Sequence, residues 1–506
     1  MAKKSSNGNK PVILDSHGRP MRKHASMTGF DAASIGRRTA NWQTTSAGIN
    51  SLLSGSLAVM RDRARDQVRN IPWVKRASRS YVANIIGTGI RPISKTPDQE
   101  FNREISQVWD DWCLEADADG ILDFYGLQTL AATSFRNSGE VLIQKIYRPT
   151  DRYDLVIPYQ IRLLEPDHLD HLYSTYLDND GKIVQGIEFD SNGDRVAYHL
   201  WQEHPQETMS GFGAAKRIRV PAAEIIHIYE PSRPGQVRGY PGIASSILRM
   251  LDMMEYEDAE LVRKKLAAML VGFITSPADE DGNVMGEVTE DGEDVPVAQL
   301  ETGTMQKLDP GQEVIFNQPA DVGGSYESFM KMNLRASAAG ADVTYESMTG
   351  DYSGVNFSSL RAALNEIQRI WQQTQNNIFV HQMCRPIRRD VVTWAVRTGI
   401  VPMPEGFSEN PRPWLRAKWV APGWPYVNPQ QEAQAIGIDM RNGLVSRAAA
   451  VAAKGRDISE LDEEIAEDNT RADGLGLRFD SDPRKSAAGG QPLANIDPDM
   501  DQEKQE

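Results

Sequence analysis

Apolar positions along the chain change their period several times, and each change marks an element. From Leu57 to Ala83 a helical spacing runs through Val68, Val74 and Val82, surrounded by Arg61, Arg63, Arg65, Arg69, Lys75, Arg76 and Arg79. Pro72 lacks the N–H that an unbroken helix needs, so two shorter helices are expected. Phe101, Ile105, Val108, Trp109 and Trp112 recur at the spacing of an amphipathic helix. Asp123 is a good N-cap for another helix, running past Leu127 and Leu130 to Phe135. The period then changes. Glu140–Tyr147 and Pro158–Leu164 read as strands, and turn signals at 178–181 and 190–194 bracket a strand over Lys182–Phe189. Arg195–Trp201, Ile218–Val220 and Glu224–Tyr229 extend an antiparallel meander, which makes 101–230 an α+β domain.

Beyond the turn-rich Pro231–Gly235, residues 244–270 read as one long helix. Ile247, Met250, Leu251 and Met254 form one apolar stripe, and Leu261, Val262, Leu266 and Met269 another. Between them lie Glu255, Glu257, Asp258 and Glu260, followed by Arg263, Lys264 and Lys265. That order suits the helix dipole, and the polar middle points to lateral packing on neighbours. An acidic stretch at 276–304 precedes a short strand at Glu313–Phe316 and a helix over Tyr326–Ala341. Gly350-Asp351-Tyr352-Ser353-Gly354-Val355-Asn356 is a loop by composition. The helix it opens carries Phe357, Leu360, Leu364, Ile367, Trp371 and Ile378 on one stripe, broken at Thr374. Asn356 caps it and Pro386 is its expected stop. At ~1.5 Å per residue the 357–384 span is about 40 Å long. The stripe is expected to face a core, because no charges are organised beside it for helix pairing.

Length changes the picture first: 506 residues suggest about three domains. Charge changes it next. The net charge is −15, from 70 acidic and 55 basic residues, which disfavours a protein that grips nucleic acid. The distribution is uneven, with a basic surplus in 1–79, an acidic surplus in 457–506, and acids without a base in 275–302. The first forty residues and the stretch from about Gly474 are expected to be disordered. Two cysteines, Cys113 and Cys384, cannot make a disulfide framework, so a reducing compartment is the default; Cys384 reads as core or interface. The N-terminus has no apolar run behind its lysines, and Leu266–Ile274 is about half a membrane span, so a soluble, intracellularly made protein is expected.

Candidate chemistry is sparse. No Gly-x-x-x-x-Gly-Lys-Ser/Thr run provides a phosphate cradle, and Gly87-Thr88-Gly89 and Gly211-Phe212-Gly213 lack the rest of a dinucleotide fingerprint. Asp167, His168, Asp170 and His171 are suitable metal ligands, yet their arrangement matches no standard motif and reads better as a polar turn. Asp279–Gly282 does not fit EF-hand spacing, and Ser245, Ser353 and Ser358 lack a nucleophile elbow. No catalytic site, metal or cofactor is expected.

Arg233-Pro234-Gly235-Gln236-Val237-Arg238-Gly239-Tyr240-Pro241-Gly242, with Asp252 and Tyr256–Leu261 after it, resembles the portal proteins of lambda-like tailed phages. Tyr345–Ala363 is the stronger match, and further echoes lie at Arg69–Asn70 through Gly87–Ile90, Gly186–Glu188 and Gly443–Arg447. The resemblance covers about 45–475, in the family's order. It implies an α+β, mainly α, portal-type subunit with wing, two-helix stem, clip, and crown with tunnel-loop helix. On that analogy 1–44 is a flexible basic arm outside the resemblance, 45–243 the wing, 244–270 the first stem helix and 271–323 the clip. Residues 324–344 are the second stem helix, 345–384 the tunnel loop and long helix, 385–473 the helical wing and crown part, and 474–506 the acidic tail.

The same resemblance implies a homo-oligomeric ring, typically of twelve subunits, at one capsid vertex of the virion, assembled in the bacterial cytoplasm. Its partners would be double-stranded DNA in the channel, the terminase large subunit, the major capsid or scaffold protein and a head-completion adaptor, with no membrane. Gly350, Asp351, Tyr352, Ser353, Gly354, Val355 and Asn356 would form the channel loop, and Lys331 and Arg335 would line the stem. Two other readings compete. One is a metal-dependent hydrolase or nuclease using the 165–171 cluster. The other is a monomeric DNA-binding adaptor using the basic residues 61–79.

Overall fold

The computed structural model describes residues 41–42, 44–207, 216–268, 272–275, 313–316, 323–424, 429–477, 479, 486–487 and 491–492. Two helices open it, α1 (Ile49–Asn70) and α2 (Pro72–Ile85), and Pro72 takes the first position of the second, where its missing N–H costs nothing. A short strand β1 (Arg91–Ser94) leads to α3 (Gln99–Glu115), capped by the Asp98 side chain on Glu100 N–H. The helix α4 (Phe124–Ser138) is capped by Asp123, which accepts from Gly126 N–H, and such a cap is worth about 1 kcal/mol. Gly139 ends α4 in the left-handed region, at φ 90°. A Cβ there would lie 2.2 Å from the Tyr240 backbone, so only glycine lets the 239–242 segment pack on this corner.

The strands make two sheets rather than one meander. β2 (Glu140–Ile146) is followed by the single turn α5 (Thr150–Tyr153) and by β3 (Gln160–Leu164). Then come β4 (Thr175–Tyr176), β5 (Lys182–Val184), β6 (Ile187–Phe189), β7 (Arg195–Trp201), β8 (Arg217–Pro221) and β9 (Ile225–Tyr229). Strands β4 to β8 form a five-stranded antiparallel sheet in sequence order, while β9 returns to pair with β2 in the order β3-β2-β9. The strand expected over Lys182–Phe189 is instead a hairpin. Gln185 and Gly186 both take positive φ, which folds β5 back on β6 through a two-residue turn.

The 3₁₀ turn Ala244–Ser246 enters α6 (Ile247–Ala268), so the long helix expected over 244–270 is present as far as it is described. The strands β10 (Gly272–Thr275) and β11 (Glu313–Phe316) pair antiparallel. The acidic 276–304 stretch, and with it most of the expected clip, lies outside the described residues, as does the basic arm up to residue 40. Next come α7 (Gly323–Gly340), α8 (Tyr345–Thr349) and α9 (Phe357–Thr374).

Pro386 does not stop the helix that begins at Phe357. Helical backbone continues as a π-helix over Gln375–Cys384 and then as α10 (Arg385–Arg397). In an α-helix a proline ring strikes the carbonyl four residues back. Here the turns just ahead of it are wider, with Arg385 N–H reaching Val380 O, and the ring is accommodated.

Strand β12 (Ala417–Val420) pairs with β1. Three exposed helices follow: α11 (Pro429–Arg441), α12 (Arg447–Ala453) and α13 (Ile458–Gly474), none with a buried residue. The expected disorder of 474–506 concerns residues mostly outside the described set, apart from a minimal pair, β13 (Ser486–Ala487) and β14 (Gln491–Pro492). No helix among the described residues is long and apolar enough to cross a membrane.

One large core gathers α1 to α4, the β2 sheet, α6, α7 and the long helix, with Trp112, Phe124, Tyr159, Trp371 and Phe379 at its centre. A smaller core under the five-stranded sheet holds Leu142, Leu169, Ile187, Tyr198 and Leu200. Burying each such aliphatic side chain contributes about 1.5–3 kcal/mol. Cys113 and Cys384 are both free and buried. Along the long helix Trp371 and Ile378 are buried and Ile367 packs half-buried against the core, whereas Leu360 and Leu364 are half-buried.

Candidate functional site

The 350–356 loop hangs between two caps. Thr344 caps α8 by accepting from Ser347 N–H, and Gly350 closes α8 at φ 75° with its N–H on Glu346 O. A Cβ at Gly350 would meet Arg76 Nη2 at 3.0 Å, so both the backbone angle and the arginine select glycine. Arg76 in turn donates through Nε to Ser347 O at 3.0 Å, which ties α2 to the loop's base. At the other end Asn356 Oδ1 accepts from Ser358 N–H and starts α9.

Asp351 organises the loop between these caps. Its Oδ1 accepts from Ser353 N–H at 3.0 Å and from Ser353 Oγ at 2.6 Å, and its Oδ2 accepts from Tyr345 O–H at 3.2 Å. The hydrogen bonds from Ser353, with Lys331 nearby, hold the Asp351 carboxyl below its ordinary range. Tyr352 and Gly354 are exposed, and nothing lies within 4 Å of a Cβ built on Gly354. The loop is therefore a polar projection with a fixed acid.

The helix α7 passes the same place. Lys331 pairs with Glu327 at 2.6 Å, and the Arg335 guanidinium lies 5.5 Å over the Tyr345 ring. The sequence-named residues Lys331, Arg335 and Asp351 thus share one neighbourhood, joined through Tyr345. Tyr345 and Arg76 were not singled out for a role from sequence. Tyr345 lies inside the Tyr345–Ala363 match, but no local pattern announces the Arg76 contact, 271 residues away.

On α6 and α7 apolar side chains face outward. Leu248, Leu251, Leu261 and Val262 are exposed on the first, Phe329 and Met332 on the second. Ile247, Met250, Met253, Met330 and Leu334 meet the core. The second stripe of the 244–270 helix is thus partly presented to the outside.

The 165–171 side chains turn to separate partners. Asp167 pairs with Arg61 at 2.9 Å and Arg65 at 2.7 Å. Burial alone would raise its carboxyl, but the two arginines hold it low. Asp170 faces Arg217 at 2.9 Å, and His168 Nδ1 sits 3.0 Å from Trp201 O. Glu165, Asp167 and His204 place one ligand atom each within 4.8 Å of one another. Arg65 already reaches both carboxylates there, at 3.4 and 2.7 Å. Of the basic residues at 61–79, Arg61 is therefore buried and Arg65 half-buried; Arg63, Arg69, Lys75, Arg76 and Arg79 are exposed.

A second buried network centres on Glu140 and Arg238, both fully buried, with Arg238 Nε donating at 2.9 and 3.0 Å. Gly239 N–H and His227 Nε2 complete the shell of Glu140. Burial pushes the Glu140 carboxyl up, yet Arg238 and His227 outweigh it and hold it far below the ordinary carboxylate range. Arg238 also reaches Gln185 O at 3.2 Å, so the 233–242 motif locks β2, β9 and the β5–β6 turn together.

The family model "Phage portal protein, lambda family" matches residues 35–375. A probable portal protein of Halomonas phage phiHAP-1 is 24% identical over 502 residues, covering 95% of this chain and 93% of that protein. Portal protein B of Escherichia phage lambda is 20% identical, covering 92% of this chain and 94% of that protein. Among solved structures, a chain of a native gene transfer agent virion is 12% identical, with a TM-score of 0.40 over 72% of this chain and 94% of its own. With a match across two-thirds of its length, the chain belongs to the lambda family of phage portal proteins.

Proposed function

We propose that the chain is the subunit of a closed portal ring, twelve copies in the family's usual form, at one vertex of a phage capsid. Double-stranded DNA would pass through the ring's bore during packaging and ejection. The terminase large subunit would dock on it first, then a head-completion adaptor, while the major capsid or scaffold protein holds its rim. The ring would assemble in the bacterial cytoplasm and remain in the virion.

The observation that carries this reading is the outward apolar face of α6 and α7 beside a polar projecting loop. Leu248, Leu261 and Phe329 are too large and too numerous on one helix pair to be left to water, and a neighbouring copy would cover them. A head-to-tail contact whose rotation closes produces a ring. Gly350–Asn356 would then meet the duplex with hydroxyls, an acid and backbone. A conduit must touch DNA without holding it, because each phosphate neutralised by Lys or Arg adds salt-dependent affinity. Lys331 is paired with Glu327, and the net charge of −15 keeps the lining from becoming a trap.

Native mass spectrometry with negative-stain imaging tests the proposal. Closed rings with a central hole are the expected result. A monomer at every concentration would overturn it and favour the adaptor reading.

A further inference from the structure

We propose that the exposed face of α2, carrying Lys75, Arg76 and Arg79, binds the phosphate backbone of the duplex at the base of the 350–356 loop. Resting on the portal reading, the site adds cations beside a loop that otherwise offers hydroxyls, an acid and backbone.

The stripe is unlike the other charged surfaces of the chain. No acid occurs between Asp66 and Asp98, although the whole chain carries −15. On α2 the side chains of Val74, Ala77, Tyr81, Val82 and Ile85 turn inward, which leaves Pro72, Lys75, Arg76, Arg79 and Ala83 outside. Exposed cations on other helices meet acids: Lys331 pairs with Glu327, Arg447 with Asp462 and Arg456 with Glu464. Among the described residues, the Lys75 and Arg79 side chains have no hydrogen bond or ion pair. Arg76 uses only Nε, on Ser347 O at 3.0 Å. Two unpaired cations and most of a third guanidinium therefore face water.

Position and composition select the ligand. Arg76 ties α2 to α8 and lies against Gly350, the first loop residue. A duplex that meets the loop comes within reach of the same helix. A protein partner needs apolar anchors at the centre of its contact, and α2 exposes nothing apolar larger than Pro72. A phosphate backbone needs only positive charge and hydrogen-bond donors. Lys75 and Arg79 lie one turn apart, ~6 Å along the axis, and a DNA strand presents a charge every ~3.4 Å, so both can meet phosphates of one strand. Such contacts ignore sequence and weaken with salt, so they steady the duplex without fixing its register.

The test uses assembled full-length rings, verified by negative-stain imaging, and a fluorescent blunt-ended duplex titrated by anisotropy at several salt concentrations. Binding that ignores sequence and weakens with salt is expected. Lys75→Gln/Arg79→Gln should keep rings and unfolding temperature, because both side chains are exposed and unpaired. It should weaken duplex binding about tenfold or more at low salt and flatten the salt slope by about 2 or more. Each single substitution should flatten it by about 1. Arg397→Gln/Arg412→Gln, which removes two exposed cations from other elements, should bind as wild type does. Rings that bind no duplex, or an equal loss in both double variants, overturn the proposal. So does a Lys75→Gln/Arg79→Gln ring that binds duplex normally but loses a peptide of residues 276–304, which would assign the stripe to an acidic segment. Failure of the wild type to form rings would overturn the portal reading itself, and the stripe's role with it.

Discussion

The Tyr345 hydroxyl donates to Asp351 Oδ2 across 3.2 Å, so the acid of the projecting loop is held from the helix that precedes it. Tyr345→Phe should free Asp351 without disturbing Ser353, leaving rings intact and lowering DNA packaging only modestly. Deleting Asp351–Val355 should leave rings intact and cut nuclease-protected DNA severely. Loss of rings in the deletion would make the loop an assembly element.

The outward apolar face of α6 and α7 gives a prediction of opposite sign. Leu261→Asp and Phe329→Asp change exposed positions, so the subunit should keep its fold and circular dichroism. The rings should dissociate, because a charge cannot be covered by an apolar neighbour. Sedimentation velocity checks this, and intact rings in both variants would show that the face lies outside the interface.

Arg238→Met leaves the Glu140 carboxylate buried with only His227 and Gly239 beside it, and should destabilise by about 3–5 kcal/mol. The wild type should also weaken toward acid. Glu140 is depressed in the folded state, so its contribution is complete above the ordinary carboxylate range and is lost as pH falls below it. His227 is depressed too, because burial outweighs Glu140, so the unfolded chain takes up its proton first as pH drops below about 6.5. Unfolding temperature should therefore fall in two stages on acidification, with the lower stage reduced in Glu140→Gln.

Asp167→Ala separates the ion-pair reading from a metal site. The substitution strands the buried Arg61, while Arg65 keeps Glu165 and Ser138, so stability should fall by about 3 kcal/mol. Chelators should change neither variant nor wild type. A metal-dependent hydrolytic activity lost in Asp167→Ala and His168→Ala would count against the portal reading.

Local features were legible before any coordinates. Asp123 and Asn356 announce helix starts because a cap is a contact between near neighbours in sequence, and Pro72 announces a break for the same reason. The β5–β6 hairpin was missed because Gln185-Gly186 is not among the strongest turn pairs, and the apolar pattern of 182–189 also suits one strand. Pro386 was misread because a proline's effect depends on the turns before it. The pairs Arg61–Asp167 and Glu140–Arg238 join residues about a hundred positions apart. Nothing local marks them, so the arginines of α1 read only as a basic stretch open to DNA. Within the candidate site, the loop and Lys331 were legible, while the tether from Arg76 was not.

The π-helical stretch at Gln375–Cys384 sets a rotational phase. One end of that continuous helix carries Asn356 and the loop, and the other packs Ile387, Val391 and Val392 into the core. Each residue of an α-helix turns the chain by about 100°, so a stretch with more residues per turn fixes the angle at which the loop leaves the body. Removing one residue from 375–384 would re-aim the loop around the helix axis while leaving every loop residue unchanged. In a ring, the same error would be repeated once per subunit.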